Sequence, residues 1–158
     1  MNVMPKPVRA SRTEQINIVM SGHINGAGRL FGGVLVEWID VVAAVAARRH
    51  SGRDVTTAAI DNLQFKSAAY VGDTIILSAQ LTYAGRTSME VRVDTYVESL
   101  QGARHLINTA YLVMVALDEQ GNPAPVPPLQ IETAAEQSEW QAAERRRMLR
   151  NDRRKAEF

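Results

Sequence analysis

Two hydrophobic periods divide the chain. From 33 to 50, Val34, Leu35, Val36, Trp38, Ile39 and the unbroken run Val41 to Ala47 are interrupted only by Glu37 and Asp40. Apolar residues then occupy every face of a helix, which predicts a helix buried inside the domain; a surface helix would carry a polar stripe at 3.6-residue spacing. Arg48, Arg49 and His50 suit the negative end of the helix dipole, and Gly52 follows as a stop. Beyond it the period falls to two. Residues 55–65, 74–83, 89–98 and 105–117 read as strands, and residues 13–20 allow a fifth. In the second of these, Ile75, Leu77, Ala79, Leu81 and Tyr83 share one face; in the third, Met89, Val91, Val93 and Val97 alternate with Glu90, Arg92, Asp94 and Glu98. The strand at 105–117 is apolar or near neutral on both faces, which suits a central or covered position.

Short connections at 71–73, at Gly85-Arg86 and at Gly102 favour antiparallel pairing. The expected fold class is therefore α+β, a long central helix wrapped by a curved antiparallel sheet. Such a sheet leaves an open edge, and a dimer that continues it across a twofold axis is the natural remedy. Residues 1–12, with two prolines and no period, are expected as a flexible lead; 13–128 form the domain; 129–158 are a charged helical extension after a segment containing four prolines. The helix expected over 132–155 is polar, with Trp140, Met148 and Leu149 as its main apolar points, and seven basic residues crowd its end. A solvated or subunit-contacting helix accounts for that charge; an acidic partner or nucleic acid is the alternative.

Composition narrows the chemistry. The chain has 158 residues, the size of one domain, and 18 basic against 17 acidic side chains leave a formal charge of +1, far from a nucleic-acid-binding surface. Zero cysteines exclude disulfides, thiolate-metal sites and cysteine nucleophiles and fit a reducing compartment. The start of the chain has no apolar stretch of signal-peptide length, so a cytoplasmic protein without a membrane partner is expected. The histidines at 23, 50 and 105 lack metal-ligand spacing, and no Gly-x-Ser-x-Gly elbow is present.

Four of the ten glycines fall in the stretch His23-Ile-Asn-Gly-Ala-Gly-Arg-Leu-Phe-Gly-Gly33, which runs into the buried helix. The plain reading is a tight turn and a close helix–sheet contact. The sharper one is a ligand site in which amides near Gly32 and Gly33 hold an oxyanion or polarise a carbonyl. Asp40 favours the second, because a carboxylate two turns into an apolar helix is costly unless paired or needed. Seven helical residues span roughly 10 Å, too far for Asp40 to serve a carbonyl held at its own helix N-terminus. In a dimer with antiparallel helices it would face the glycine-rich turn of the other copy. Thr56, Thr57, Asp61 and Asn62 add polar groups to an otherwise buried strand, as a site wall or as cross-strand hydrogen bonds, and the turn Gly85-Arg86-Thr87-Ser88 suits either solvent or phosphate.

The blocks N-x-x-G-x-x-x-G-G at 25–33, E-W-I-D at 37–40, V-T-T-A-x-x-D at 55–61, V-G-D at 71–73, G-R-T-S-M-E-V at 85–91 and V-A-L-D-x-x-G at 115–121 together resemble the hotdog-fold acyl-CoA thioesterases, specifically the bacterial cytoplasmic acyl-CoA hydrolases. The resemblance covers about 13–128 and implies a hotdog fold, hydrolysis of acyl-CoA thioesters, and a dimer or trimer of dimers. It implies Asn25 and Asp40 as catalytic residues contributed by different subunits, with Asp40 as general base or nucleophile and Asn25 orienting water or the acyl group. By the same carry-over Gly32 and Gly33 lie near the thioester carbonyl, and Gly85, Arg86 and Ser88 lie near the CoA nucleotide; of the polar residues read as a site wall, Thr57 is the one expected to bind substrate. No metal and no cofactor is expected, CoA being part of substrate and product. A non-catalytic acyl-CoA binder or sensor using the same groove is the rival expectation.

Overall fold

The computed structural model describes residues 3–157. Residues 1 and 2 of the expected lead and residue 158 of the C-terminal extension lie outside the described residues. The elements are β1 (Lys6–Pro7), β2 (Thr13–Ile18), α1 (Gly32–Ser51), β3 (Asp54–Asp61), β4 (Thr74–Ala84), β5 (Ser88–Glu98), β6 (Arg104–Leu117), β7 (Leu129–Gln130) and α2 (Ala134–Lys155). Five strands form one antiparallel sheet in the order β2-β4-β5-β6-β3. The sheet curls around α1, which touches all five strands, so the α+β helix-in-sheet architecture is as expected.

The apolar run of α1 fills the concave side. Leu35, Trp38, Ile39, Val42, Ala43, Ala46 and Ala47 are buried against Ile75, Leu77, Val91, Val93, Leu112 and Met114. Each fully buried large aliphatic side chain there contributes about 1.5–3 kcal/mol. Gly52 closes the helix in the left-handed region at φ 67°, where its amide bonds Arg48 O at 2.8 Å, a position that favours a residue without Cβ. The expectation of burial on every face needs correction. Gly33, Glu37, Val41 and Arg48 are exposed and Asp40 and Ala44 are half-buried, one stripe at helical spacing that the sheet leaves uncovered and that Thr57 of β3 reaches at Asp40.

Three bulges set which side chains face the helix. In β3, Thr57 opposes Met114 and Ala59 opposes Val113, so Ala58 is an extra residue. The side-chain period of two is reset there: Val55 and Thr57 point inward before the bulge, Ile60 packs on the core after it, and Asp61 faces outward to α2. A second bulge at Thr82 moves Tyr83 off the face of Leu81, where the sequence period placed it, and onto Trp140 of α2 at 4.3 Å between ring centroids. A third at Ile107 turns both Ile107 and Asn108 into the interior.

The strand expected to reach residue 65 ends at Asp61. Asn62 adopts φ 48°, and the following segment leaves the sheet for the start of α1. Residues 6–11 of the expected lead are tied to the body: β1 pairs in parallel with β7, Val8 is core, and the buried Ser11 hydroxyl accepts from Leu81 N at 3.0 Å.

The C-terminal helix lies on the convex face of the sheet. Thr133 Oγ1 accepts from Glu136 N and Glu136 accepts from Glu132 N, a reciprocal arrangement that fixes the helix start. Its basic residues answer the polar face of β5. Glu90, only 1% exposed, is held by Arg146 and Arg150 at 2.7 and 2.9 Å; Asp61 is held by Arg150 and Arg153; Arg92 meets Asp94 and Glu139. Arg146 also lies 3.7 Å over the Tyr111 ring. Burial alone would lower the Arg150 pKa, and its bonds to Asp61 and Glu90 outweigh that and raise it. Three of the seven basic residues that sequence leaves to solvent or a subunit contact, Arg146, Arg150 and Arg153, are therefore matched within the chain.

Candidate active site

The glycine-rich stretch forms a compact turn ahead of α1. Asn25 Oδ1 accepts from the amides of Ala27 and Arg29 at 2.9 and 3.2 Å, which closes the turn on its own side chain. The oxygen is thereby occupied, so the amide nitrogen of Asn25 is the end that a ligand would meet. His23 Nδ1 accepts from Met20 N at 2.9 Å and its ring packs edge-on against Trp38, the loop-capping role that its position suggests.

The α1 N-terminus carries no side-chain cap, because Phe31 occupies the cap position. Val34 and Leu35 bond back to Phe31 O, while Gly32 and Gly33 precede any intrahelical acceptor, so their amides are free donors at the positive end of the dipole. Asn25 and Gly32 line one cavity of about 300 Å³ with Leu35, Phe65, Lys66 and Ile107. A Cβ on Gly32 would touch the Phe65 ring at 3.4 Å, so a larger residue would crowd that wall. Phe65, Lys66 and Ser67 line the cavity only because the chain leaves the sheet after Asp61; a strand running on to 65 hides them from sequence reasoning.

Asp40 does not line this cavity. It sits two turns further along α1, half-buried, and accepts a hydrogen bond of 2.5 Å from Thr57 Oγ1, which also approaches Met114 Sδ at 3.4 Å. Thr57 faces the helix because the bulge at Ala58 follows it. β3 pairs with β6 on one side only, so Asp40 and Thr57 lie beside a free sheet edge. Glu37, one turn earlier, is exposed.

The third group stays together in the β4–β5 hairpin. Gly85 N bonds Ser88 O at 2.8 Å, Arg86 is exposed, and its carbonyl accepts from Val126 N at 2.9 Å. Across the sheet Ser88 pairs with Val115 and Val115 with Thr56, while Met89, Met114 and Thr57 form the next row. The eight predicted residues thus fall into three clusters: Asn25, Gly32 and Gly33 at the start of α1, Asp40 and Thr57 at its middle, and the hairpin one row from Thr57. Within one chain the first and second clusters are separated along the helix. Among the described residues no three His, Asp or Glu side chains gather to hold a metal ion, and no helix is long and apolar enough to cross a membrane.

Residues 27–102 match the Thioesterase superfamily. An acyl-CoA thioester hydrolase of Bacillus subtilis (strain 168), YkhA, is 37% identical over 129 residues, 81% of this chain and 75% of its own length. The chain spans less of the mammalian relatives: the rat cytosolic acyl coenzyme A thioester hydrolase is 30% identical over 89% of this chain and 38% of its own. Among solved structures, an apo hexameric acyl-CoA thioesterase superposes with a TM-score of 0.91 at 40% identity, covering 96% of this chain and 97% of that one. The acyl-CoA hydrolase of Staphylococcus aureus, in complex with butyryl coenzyme A and coenzyme A, gives a TM-score of 0.91 at 32% identity over 96% and 93% of the two chains. The S. aureus protein has also been solved as alanine variants of one asparagine, one aspartate and one threonine, the aspartate lying 15 residues after the asparagine and the threonine 17 after the aspartate.

Proposed function

This chain belongs to the acyl-CoA thioester hydrolases of the thioesterase superfamily, with the hotdog fold, and from that premise we propose that it cleaves acyl-CoA to a free carboxylic acid and CoA at a site shared between two subunits. The observation that carries the reading is the Asp40 carboxylate, half-buried beside a free strand edge and held by Thr57. The spacing of Asn25, Asp40 and Thr57 supports it, since these lie 15 and 17 residues apart, as the three substituted positions of the S. aureus hydrolase do.

The proposed chemistry uses groups already placed. The thioester carbonyl points at the free amides of Gly32 and Gly33, which take up negative charge as the carbon becomes tetrahedral. Asp40 of the partner copy either removes a proton from the attacking water or attacks the carbon itself to give a mixed anhydride that water opens. Asn25 positions the water or the acyl oxygen through its amide nitrogen. The C–S bond breaks, and the CoA thiolate leaves and is protonated. No step calls for a metal or cofactor, so chelators are expected to leave turnover unchanged.

Two observations favour a shared site. Strand β3 is an edge of the sheet, and α1 leaves beside it a stripe on which Val41 is exposed and Ala44 half-buried; a second copy laid antiparallel would cover both. That arrangement brings Asp40 of one chain toward the Gly32 and Asn25 of the other. A dimer, and a trimer of dimers built from it, is proposed on these grounds, with support from the hexameric relative. The cytosolic relative supports a cytoplasmic place of action. The test is a panel of short- and medium-chain acyl-CoA substrates assayed for thiol release with wild type and Asp40→Asn side by side. Loss of turnover in a folded variant supports the assignment, and unchanged turnover refutes it.

A further inference from the structure

The convex side of the hairpin carries a cavity that the reaction above does not use. It holds about 250 Å³ between the sheet and α2, with Tyr83, Ser88 and Glu90 on one wall and Arg147, Arg150 and Arg154 on the other. Its charges do not balance. Glu90 is already matched by Arg146 and Arg150, and Arg150 also serves Asp61. Arg147 donates only to the neutral Tyr83 hydroxyl at 3.2 Å, and Arg154 has no carboxylate partner among the described residues. Two guanidinium groups are left over, with the exposed Arg86 on the adjoining hairpin. Their planar, paired donors match the oxygens of a phosphate or a carboxylate, and phosphate is the anion that an acyl-CoA substrate carries.

The cavity is also well placed. Ala58, the bulge residue that follows Thr57, forms part of its rim, and Ser88 lies on the convex row next to the concave row that ends at Thr57. A ligand anchored here sits on the opposite face of the strand that holds Asp40.

We infer that α2 supplies the cationic wall of a phosphate site, in which Arg147 and Arg154, with the Ser88 hydroxyl, hold phosphate groups of the CoA nucleotide. The inference rests on the acyl-CoA reading of the reaction, and it assigns to a helix beyond the matched residues 27–102 a part in substrate affinity. The volume admits a phosphate-bearing portion of the nucleotide, with the adenine ring outside.

The test compares wild type with the double variant Arg147→Gln, Arg154→Gln on three thioesters carrying the same acyl group: acyl-CoA, acyl-dephospho-CoA and acyl-pantetheine. The expected result is at least a tenfold loss of kcat/KM on acyl-CoA, carried by KM, with acyl-pantetheine turnover and the thermal melt held at wild-type values. A loss confined to acyl-CoA places the 3′-phosphate in the cavity, and an equal loss on acyl-dephospho-CoA places the diphosphate there. Equal loss on acyl-pantetheine, or none on acyl-CoA, overturns the inference. A site for free phosphate would instead show inorganic phosphate binding that the variant loses, with acyl-CoA kinetics unchanged, and that also overturns it. If wild type releases no CoA from any thioester, the hydrolase reading fails instead; CoA titration by calorimetry then decides, since equal affinity in both proteins overturns the site.

Discussion

Thr57 donates its hydroxyl proton to Asp40 at 2.5 Å, joining the free edge strand to the central helix at the one carboxylate that the proposed reaction needs. Neutral-to-charged hydrogen bonds of this kind contribute about 1.5–3 kcal/mol. Thr57→Val keeps the shape and removes the donor, so kcat/KM should fall by about 10- to 100-fold while circular dichroism stays that of wild type. A variant as active as wild type would show that the bond does not position the carboxylate for catalysis.

A site divided between subunits makes a sharper demand. Asn25→Ala and Asp40→Asn should each be inactive alone. Refolding the two together in equal amounts makes half of the dimers mixed, each with one intact site of two, so about a quarter of wild-type activity should return. No recovery, with mixed dimers demonstrated by mass spectrometry, would place both residues in one chain's site.

His50 gives the fold a dependence on pH. Burial lowers its pKa below the ordinary value, the Pro127 carbonyl that its Nε2 meets at 2.7 Å opposes this, and nearby Lys6 adds to the lowering. The folded state therefore keeps the imidazole neutral where the unfolded chain already binds a proton. Stability from this group is fully present above the unfolded pKa of about 6.5 and declines as pH falls from there through the lower folded value. Thermal midpoints should drop from pH 7.5 to 5.5, with a shallower drop in His50→Gln. Parallel slopes for the two proteins would assign the acid sensitivity elsewhere.

The outer ion pairs should differ sharply in worth. Glu90→Ala strips two guanidinium groups, on side chains 21% and 12% exposed, of a buried partner and should cost about 3–5 kcal/mol in urea denaturation. Asp54→Ala, which breaks a pair whose side chains are 75% and 61% exposed, should cost about 1 kcal/mol at most. Similar losses from both would mean that α2 is held by its apolar contacts through Trp140 and Ala143.

Sequence period was enough for α1 and the four long strands, and the short connections for the antiparallel pairs β4–β5 and β5–β6; the connection at 71–73 joins no pair, because β3 crosses over to pair with β6. It misplaced Tyr83, and it could not place Asp61, because a bulge changes facing without changing composition. The shift was nonetheless written in β3, where Val55 and Thr57 keep one parity and the inward Ile60 takes the other. Asp40 stood out as an acid amid apolar neighbours, but its partner Thr57 could be named only as one of several polar residues on the strand, since the pairing depends on how β3 lies over α1. The partners of Arg146 and Arg150 were out of reach for the same reason: the carboxylates that hold them lie 56 to 89 residues away in sequence, and nothing local marks the pairing.

Strand β3 counts in twos, and Ala58 acts on that count as a frameshift does on codons. Removing one residue between Thr57 and Ile60 would leave composition almost untouched yet exchange inside for outside on one flank, losing either the acid's hydroxyl partner or the anchor for the C-terminal helix. Drift through this stretch is therefore confined to replacements, and insertions or deletions are tolerable only in pairs.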